Sequence, residues 1–296
     1  MIYELAALAT AFTWALTSVI SPVPAQALGP IAFVRARMTI VFVLLAGWLT
    51  VTGGWQGLAV DDAWLLVLSG FVGIFLGDTA LFATMNRLGP RRSNILFSLN
   101  APISAILGRL VLGEVLSHWT LIGMAIVFAG VTLAILYGKR PSQLHQWEHV
   151  RGPLWAGIAF GLAAALSQAA GSLIARPVMA AGMDPVVAST LRIGVAAAAL
   201  SLVMATGAPF ARQRAQWTWT LLGLTAASGI IGMALGVTLL LFALSGGKVG
   251  IVSILSATTP ALLLPLLWIR TGERPAAGAW IGAALVVTGS ALILNR

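Results

Sequence analysis

Apolar positions run along this chain in long unbroken blocks, and polar positions gather in the short gaps between them. A helix that crosses a bilayer needs about 20 mostly apolar residues. Ten blocks of that kind are present, near 2–21, 31–52, 63–86, 92–112 and 117–137, and near 153–175, 185–206, 217–243, 248–269 and 276–294. They predict ten membrane spans joined by short connections. The longest connection, residues 138–152, is the one stretch that reads as a solvated linker. Ten of the eleven tryptophans fall near a predicted span end or in a connection: Trp48, Trp55, Trp64, Trp119, Trp147, Trp155, Trp217, Trp219, Trp268 and Trp280. Such belts mark the two membrane–water interfaces. Trp14 is the exception, deeper in span 1. Ala25-Gln26-Ala27 resembles a signal-peptide cleavage site, but the N-terminus carries Glu4 and no basic segment, so span 1 is expected to be retained.

Composition narrows the class. Of 296 residues, 59% are apolar and 8% are charged, where a soluble domain has roughly 25% charged residues. Mean hydropathy is +0.97. A soluble enzyme, a disordered tail and a nucleic-acid module are therefore excluded as readings. The net charge of +9 comes from basic residues standing singly or in pairs between apolar blocks, which marks topology rather than a nucleic-acid partner. Cysteine is absent, so disulfides and Cys-ligated metals are excluded.

The chain also repeats itself. SLNAP at 98–102 recurs as SATTP at 256–260, an offset of 158. Gly73, Gly77 and Thr79 recur as Gly232, Gly236 and Thr238, an offset of 159. Gly113-Glu114 followed by Gly123 and Gly130 recurs as Gly272-Glu273 followed by Gly282 and Gly289, again at 159. Pro30 stands seven residues before Arg37, and Pro185 seven before Arg192. Ala-Leu-Thr-Ser at 15–18 matches Ala-Leu-Ser-Gln at 165–168, an offset of 150. The common order makes the set strong where each match alone is weak. Five spans per half is an odd number, so the second half must enter the membrane upside down. The expected fold is an all-α polytopic membrane protein of two inverted five-helix repeats, 1–137 and 153–296, joined by the 138–152 linker. Transporters built this way bind substrate near the midplane, between the repeats.

At these residues the sequence resembles the EamA branch of the drug/metabolite transporter superfamily. The resemblance covers nearly the whole chain, and the Gly-Glu plus Gly-spaced pattern at 113–130 and 272–289 is its most specific part. It implies a transporter of small metabolites, often an exporter of amino acids or related compounds. Small multidrug relatives use a carboxylate in the middle of helix 1. Here Trp14 stands there, and the only acid of that span is Glu4, so that mechanism is not carried over.

Candidate substrate-binding residues follow from polarity at depth. An ionisable group at a helix centre costs roughly 2.5–3.5 kcal/mol on insertion scales. Asp78 lies deep in span 3 with no flanking charge, and reads as a proton or cation site or as the partner of a neighbouring Arg. Arg37 and Arg192 are the repeat-related guanidiniums. Either can clamp a carboxylate or phosphate, but snorkelling to the headgroups is the plainer expectation for both. Pro102 and Pro260 lack an N–H, so the carbonyls of Ser98 and Ser256 lose their helical donors. These kinks, with Asn100 and Thr258 beside them, are expected to line a cavity. Trp14 and Thr17, on a stripe with Thr10 and Ser21, and Gln168, beside Ser167, Gly171 and Ser172, complete the set. The paired glycines of spans 3 and 8 are expected to pack helices, and Glu114 and Glu273 to sit structurally at the starts of spans 5 and 10.

No catalytic residue, metal ligand or cofactor is expected; a proton or ion gradient is the only energy source the reading admits. His145 and His149 have metal-ligand spacing but stand in the linker with only Glu148 nearby. An intramembrane enzyme would need a Ser–His pair or clustered acids at depth, and neither is present. The expected function is secondary-active transport of small metabolites such as amino acids or related zwitterions, by alternating access around a midplane cavity. The alternative is a carrier or flippase for organic cations or lipid-linked substrates. Partners are a small-molecule substrate, membrane lipid and, in a homodimer, a second copy of the chain. The location is a multi-pass position in a bacterial cytoplasmic membrane. Ten Lys and Arg lie on the side of the 138–152 linker and four on the side of the termini. The positive-inside rule then places both termini outside, although the family resemblance implies the reverse.

Overall fold

The computed structural model describes residues 1–55, 60–137, 153–271 and 276–294. The linker, His145, Glu148, His149 and Glu273 lie outside them. Every element among the described residues is helical. The first half contains α1 (Ile2–Ile20), α2 (Pro22–Leu28), α3 (Pro30–Thr52), α4 (Val60–Gly70), a π-helical segment (Phe71–Leu76), α5 (Gly77–Ser98), α6 (Asn100–Leu112) and α7 (His118–Tyr137). The second contains α8 (Leu154–Ala180), α9 (Pro185–Ala205), α10 (Trp219–Gly229), a π-helical segment (Ile230–Leu235), α11 (Gly236–Gly246), α12 (Val249–Ser256), α13 (Thr259–Thr271) and α14 (Ala277–Leu294). Among the described residues nine helices are long and apolar enough to cross a membrane, and a shorter apolar one, Val249–Leu263, stands where the ninth span was predicted.

Two connections differ from the sequence reading. The chain between the first two spans was expected as a loop and instead forms the short α2. Its first residue is Pro22, whose fixed φ suits a first helical turn, and the positive φ of 89° at Gly29 ends it. The connection around 87–92 was also expected as a loop and instead falls within α5. The chain nevertheless reverses there: Gly77 meets Ser167 and Leu88 meets Gly157, while Leu96, further along, meets Gly161. The interfacial tryptophans Trp48, Trp64, Trp119, Trp155, Trp219 and Trp280 are all exposed, as a belt facing lipid headgroups requires.

Packing between the halves is reciprocal. The first span packs on the eighth (α1 on α11) and the sixth on the third (α8 on α5). The second pairs with the seventh (α3 with α9), the fourth with the ninth (α6 with α12) and the fifth with the tenth (α7 with α14). Exchanging the halves maps this list onto itself. Glycines make the close approaches. A Cβ added at Gly130 would stand 2.7 Å from the Gly282 carbonyl, and one at Gly289 would stand 2.7 Å from that of Gly123. Gly123 thus faces Gly289 while Gly130 faces Gly282, so α7 and α14 run antiparallel at near-backbone contact. Small residues permit this in lipid, where there is no hydrophobic drive between helices.

Candidate functional site

The broken third and eighth spans organise the interior. Each contains a π-helical turn at the same place, Phe71–Leu76 and Ile230–Leu235, an offset of 159. Such turns release a helix from its regular ladder and are frequent at functional sites. The sequence signal was present in the glycines at 73, 77, 232 and 236, but glycine spacing alone reads as packing and does not announce an extra residue per turn. The packing role is also real. Gly70 lies against the Arg192 backbone and Gly229 against Arg37. Gly73 crosses Gly171, and Gly232 crosses Thr17. Gly77 faces Ser167, and Gly236 faces Thr13 and Trp14. These contacts make Trp14 the counterpart of Gln168, an offset of 154. The match of 15–18 with 165–168 was therefore one helical turn out of register, because abundant Ala and Leu align equally well a turn away.

Trp14 donates its indole N–H to the carbonyl of Gly232 at 3.1 Å, inside the π segment. The one hydrogen-bond donor of the indole is thus engaged with the opposite half. Thr17 is buried and donates back to the Trp14 carbonyl at 2.9 Å, and Thr10 to that of Ala6 at 2.9 Å. Ser21 pairs with Ser228 at 2.8 Å. The stripe on α1 therefore faces protein. In the other half, buried Ser69 donates to the Gly171 carbonyl at 2.6 Å, pinning the third span to the sixth. Gln168 is half-buried beside Gly77.

Both proline kinks are present. The helices break at Leu99 and at Ala257–Thr258, just ahead of Pro102 and Pro260. The expectation of an open carbonyl at Ser256 is corrected: Thr259 Oγ1 donates to it at 3.0 Å. The hydroxyl next to the proline replaces the missing N–H. Ala101 holds the corresponding place in the first half and has no hydroxyl to offer. The flanking side chains are spent locally. Ser98 donates to Ile95 at 2.7 Å, Asn100 to Phe97 at 2.6 Å, Ser256 to Ser253 at 3.1 Å and Thr258 to Leu255 at 2.7 Å. These four side chains hold the helix breaks.

The charged residues behave differently from one another. Arg192 is 1% exposed, which overturns the snorkelling expectation for it. Its Cα lies level with Gly70, but Nη2 would stand 3.2 Å from a Cβ at Gly73, about a turn deeper. The side chain reaches inward because backbone-only glycines leave it room. Its Nε and Nη1 have no hydrogen-bond partner. Arg37 is half-buried and leans back along its own helix, with Cζ 5.3 Å from the Phe33 ring centroid and Nε unpartnered. Asp78 is within electrostatic reach of Arg37, and its Oδ2 is buried without a hydrogen bond, as is the neighbouring Thr79 hydroxyl. Among the described residues the one ion pair within 4.0 Å joins the N-terminal ammonium to Glu4. Leaving buried charge unpaired costs on the order of several kcal/mol. The structure brings Arg37 and Asp78 together, and sets Arg192 and Gln168 along the same broken span. It does not show Ser98, Asn100, Ser256 or Thr258 joining them.

Sequence reasoning missed one cluster. Where α11 meets α12, the Glu114 carboxylate accepts the N–H of Val249 at 2.9 Å, and Arg176 Nε donates to the Gly247 carbonyl at 3.0 Å. Lys248 Nζ donates to the Val115 carbonyl, and Tyr3 covers Gly246. Glu114 was assigned to the start of its own following helix. The structure instead places it at the N-terminus of α12 in the opposite half, because residues 113–117 are non-helical and turn it outward.

A model of the EamA-like transporter family matches residues 1–136 and again 155–295, so two copies cover nearly all of the chain. The chain belongs to the EamA-like transporter family. Its all-helical, multi-pass membrane fold and a role in moving small solutes follow from that membership. A solved protein crystal structure is similar over 98% of this EamA chain and 95% of its own, with a TM-score of 0.77 at 18% identity. A likeness at that identity carries the fold alone. No curated protein matches the sequence.

Proposed function

We propose that this EamA protein is a secondary-active transporter of small metabolites such as amino acids or related zwitterions, working as an exporter in a bacterial cytoplasmic membrane. The observation that carries the reading is the set of buried charged atoms without a hydrogen bond, on Asp78, Arg37 and Arg192, between two halves that pack reciprocally. The repeats are inverted. Equivalent helices α7 and α14 touch antiparallel through equivalent glycines, which supports a two-fold axis across the helices, in the membrane plane. Such halves exchange conformations to open the site to one side and then the other.

The ties around Val249 support a state closed on the face of the termini. On the opposite face, α2 and the chain after α9 meet through the Arg214 N–H and the Leu28 carbonyl at 3.0 Å. Thermal shift of purified protein against amino acids, organic cations and sugar phosphates, followed by counterflow of the hits in proteoliposomes, tests the function. Saturable counterflow of an amino acid is the expected result. Specific transport of organic cations alone would replace the substrate class, and absence of flux for every binder would remove the transporter reading.

A further inference from the structure

The two halves match closely at their arginines but differ in what stands opposite each one. Asp78 lies within electrostatic reach of Arg37. At the repeat offset of 159 that acid becomes Val237, which is buried. The neighbourhood is equivalent, because the next residue, Thr238, reaches α9 and donates to Ser189 at 2.9 Å, one turn before Arg192. Among the described residues the first arginine therefore has an acid within electrostatic reach and the second has none. Arg192 is nonetheless the more deeply buried, with two unbonded nitrogens and its guanidinium turned inward to the Gly73–Gly171 crossing. Three positions without a Cβ, Gly70, Gly73 and Gly171, line that approach.

We propose that Arg192 is the seat for an oxyanion, a carboxylate or phosphate, on a soluble small-molecule substrate, and that the site discriminates against cations that lack one. This rests on the transporter reading and deepens it: the substrate supplies the negative charge that Val237 does not. A planar guanidinium presents paired N–H groups along its edges that match two oxygens of one such group. In the present arrangement the seat is sealed, and it becomes reachable when the third span and α8 part.

The test uses full-length protein in lipid-free detergent, which removes headgroup phosphate as a source. Melting is followed with sodium acetate, sodium phosphate or tetramethylammonium chloride, against sodium chloride at equal ionic strength. Acetate or phosphate should raise Tm saturably by about 2–4 °C, and tetramethylammonium should not. Arg192→Met should abolish the response without lowering the ligand-free Tm, because it removes an unpaired buried charge. Val237→Asp, which supplies the missing acid, should abolish it as well. The proposal fails if neither anion acts on the parent protein, if the response survives in Arg192→Met, or if Arg192→Met lowers Tm or prevents folding, since Arg192 would then be structural. If Val237→Asp alone does not fold, Arg192→Met decides. Flux separates this from the wider reading: transport confined to cations would sink the seat and keep the transporter, whereas anion binding without any flux would do the opposite.

Discussion

The carboxylate of Glu114, from the first half, accepts the backbone N–H of Val249, from the second, at 2.9 Å. It satisfies an orphan donor at the start of α12 and places negative charge at the positive end of that helix. Because the bond crosses between halves, it ties them together rather than stabilising either half alone. Removing a cap of this kind costs about 1 kcal/mol, which corresponds to roughly a fivefold change between two states. The chain has no cysteine, so a single Ser245→Cys reports access at this junction. Adding Glu114→Ala should raise its labelling by an impermeant maleimide about fivefold. Unchanged labelling would show that the tie does not gate this face.

Trp14 is the second tie between halves. Trp14→Phe keeps a ring but deletes the donor to the Gly232 carbonyl. The uncompensated carbonyl should cost about 1–3 kcal/mol, seen as a lower Tm. Substrate affinity should change little if Trp14 acts by positioning the π segment. A large loss of affinity at unchanged Tm would instead put the indole against the substrate.

Asp78→Asn should reduce gradient-driven accumulation by about tenfold or more while leaving substrate exchange, if Asp78 carries coupling protons. Expression and counterflow measured together separate this from a structural role, which predicts loss of folded protein. Undiminished accumulation would remove Asp78 from the coupling mechanism.

At its glycines the α7–α14 seam has no room for a side chain. Gly130→Val places new atoms within 2.7 Å of the Gly282 carbonyl and should destabilise by about 1–3 kcal/mol. Gly223→Val, where a Cβ would meet nothing within 4 Å, serves as the control. Equal melting of the two variants would mean that the seam tolerates separation.

Orientation follows from the charge asymmetry between the two faces. A C-terminal reporter that fluoresces only in the cytoplasm should stay dark, since the basic residues gather on the linker side. Bright cells would reverse the orientation and leave the fold untouched.

Several features were legible in the residues themselves. Block hydropathy located the spans, because lipid demands about 20 apolar residues at each crossing. The recurrence of glycines at a fixed offset marked the positions of both π-helical turns, and the prolines located both helix breaks. These are local properties: solvent, covalent geometry and hydrogen-bond loss dictate them wherever the segment ends up. Tertiary structure decided what depends on a neighbour distant in the chain. The Trp14 indole goes to Gly232, Glu114 caps the opposite half, Thr259 closes the carbonyl that Pro260 opened, and Arg192 turns inward instead of snorkelling. The last is the clearest case. An isolated helix would let a long cation climb to water; the glycines of the third span and of α8, brought alongside by packing, make room for it inside, with no acid against it among the described residues.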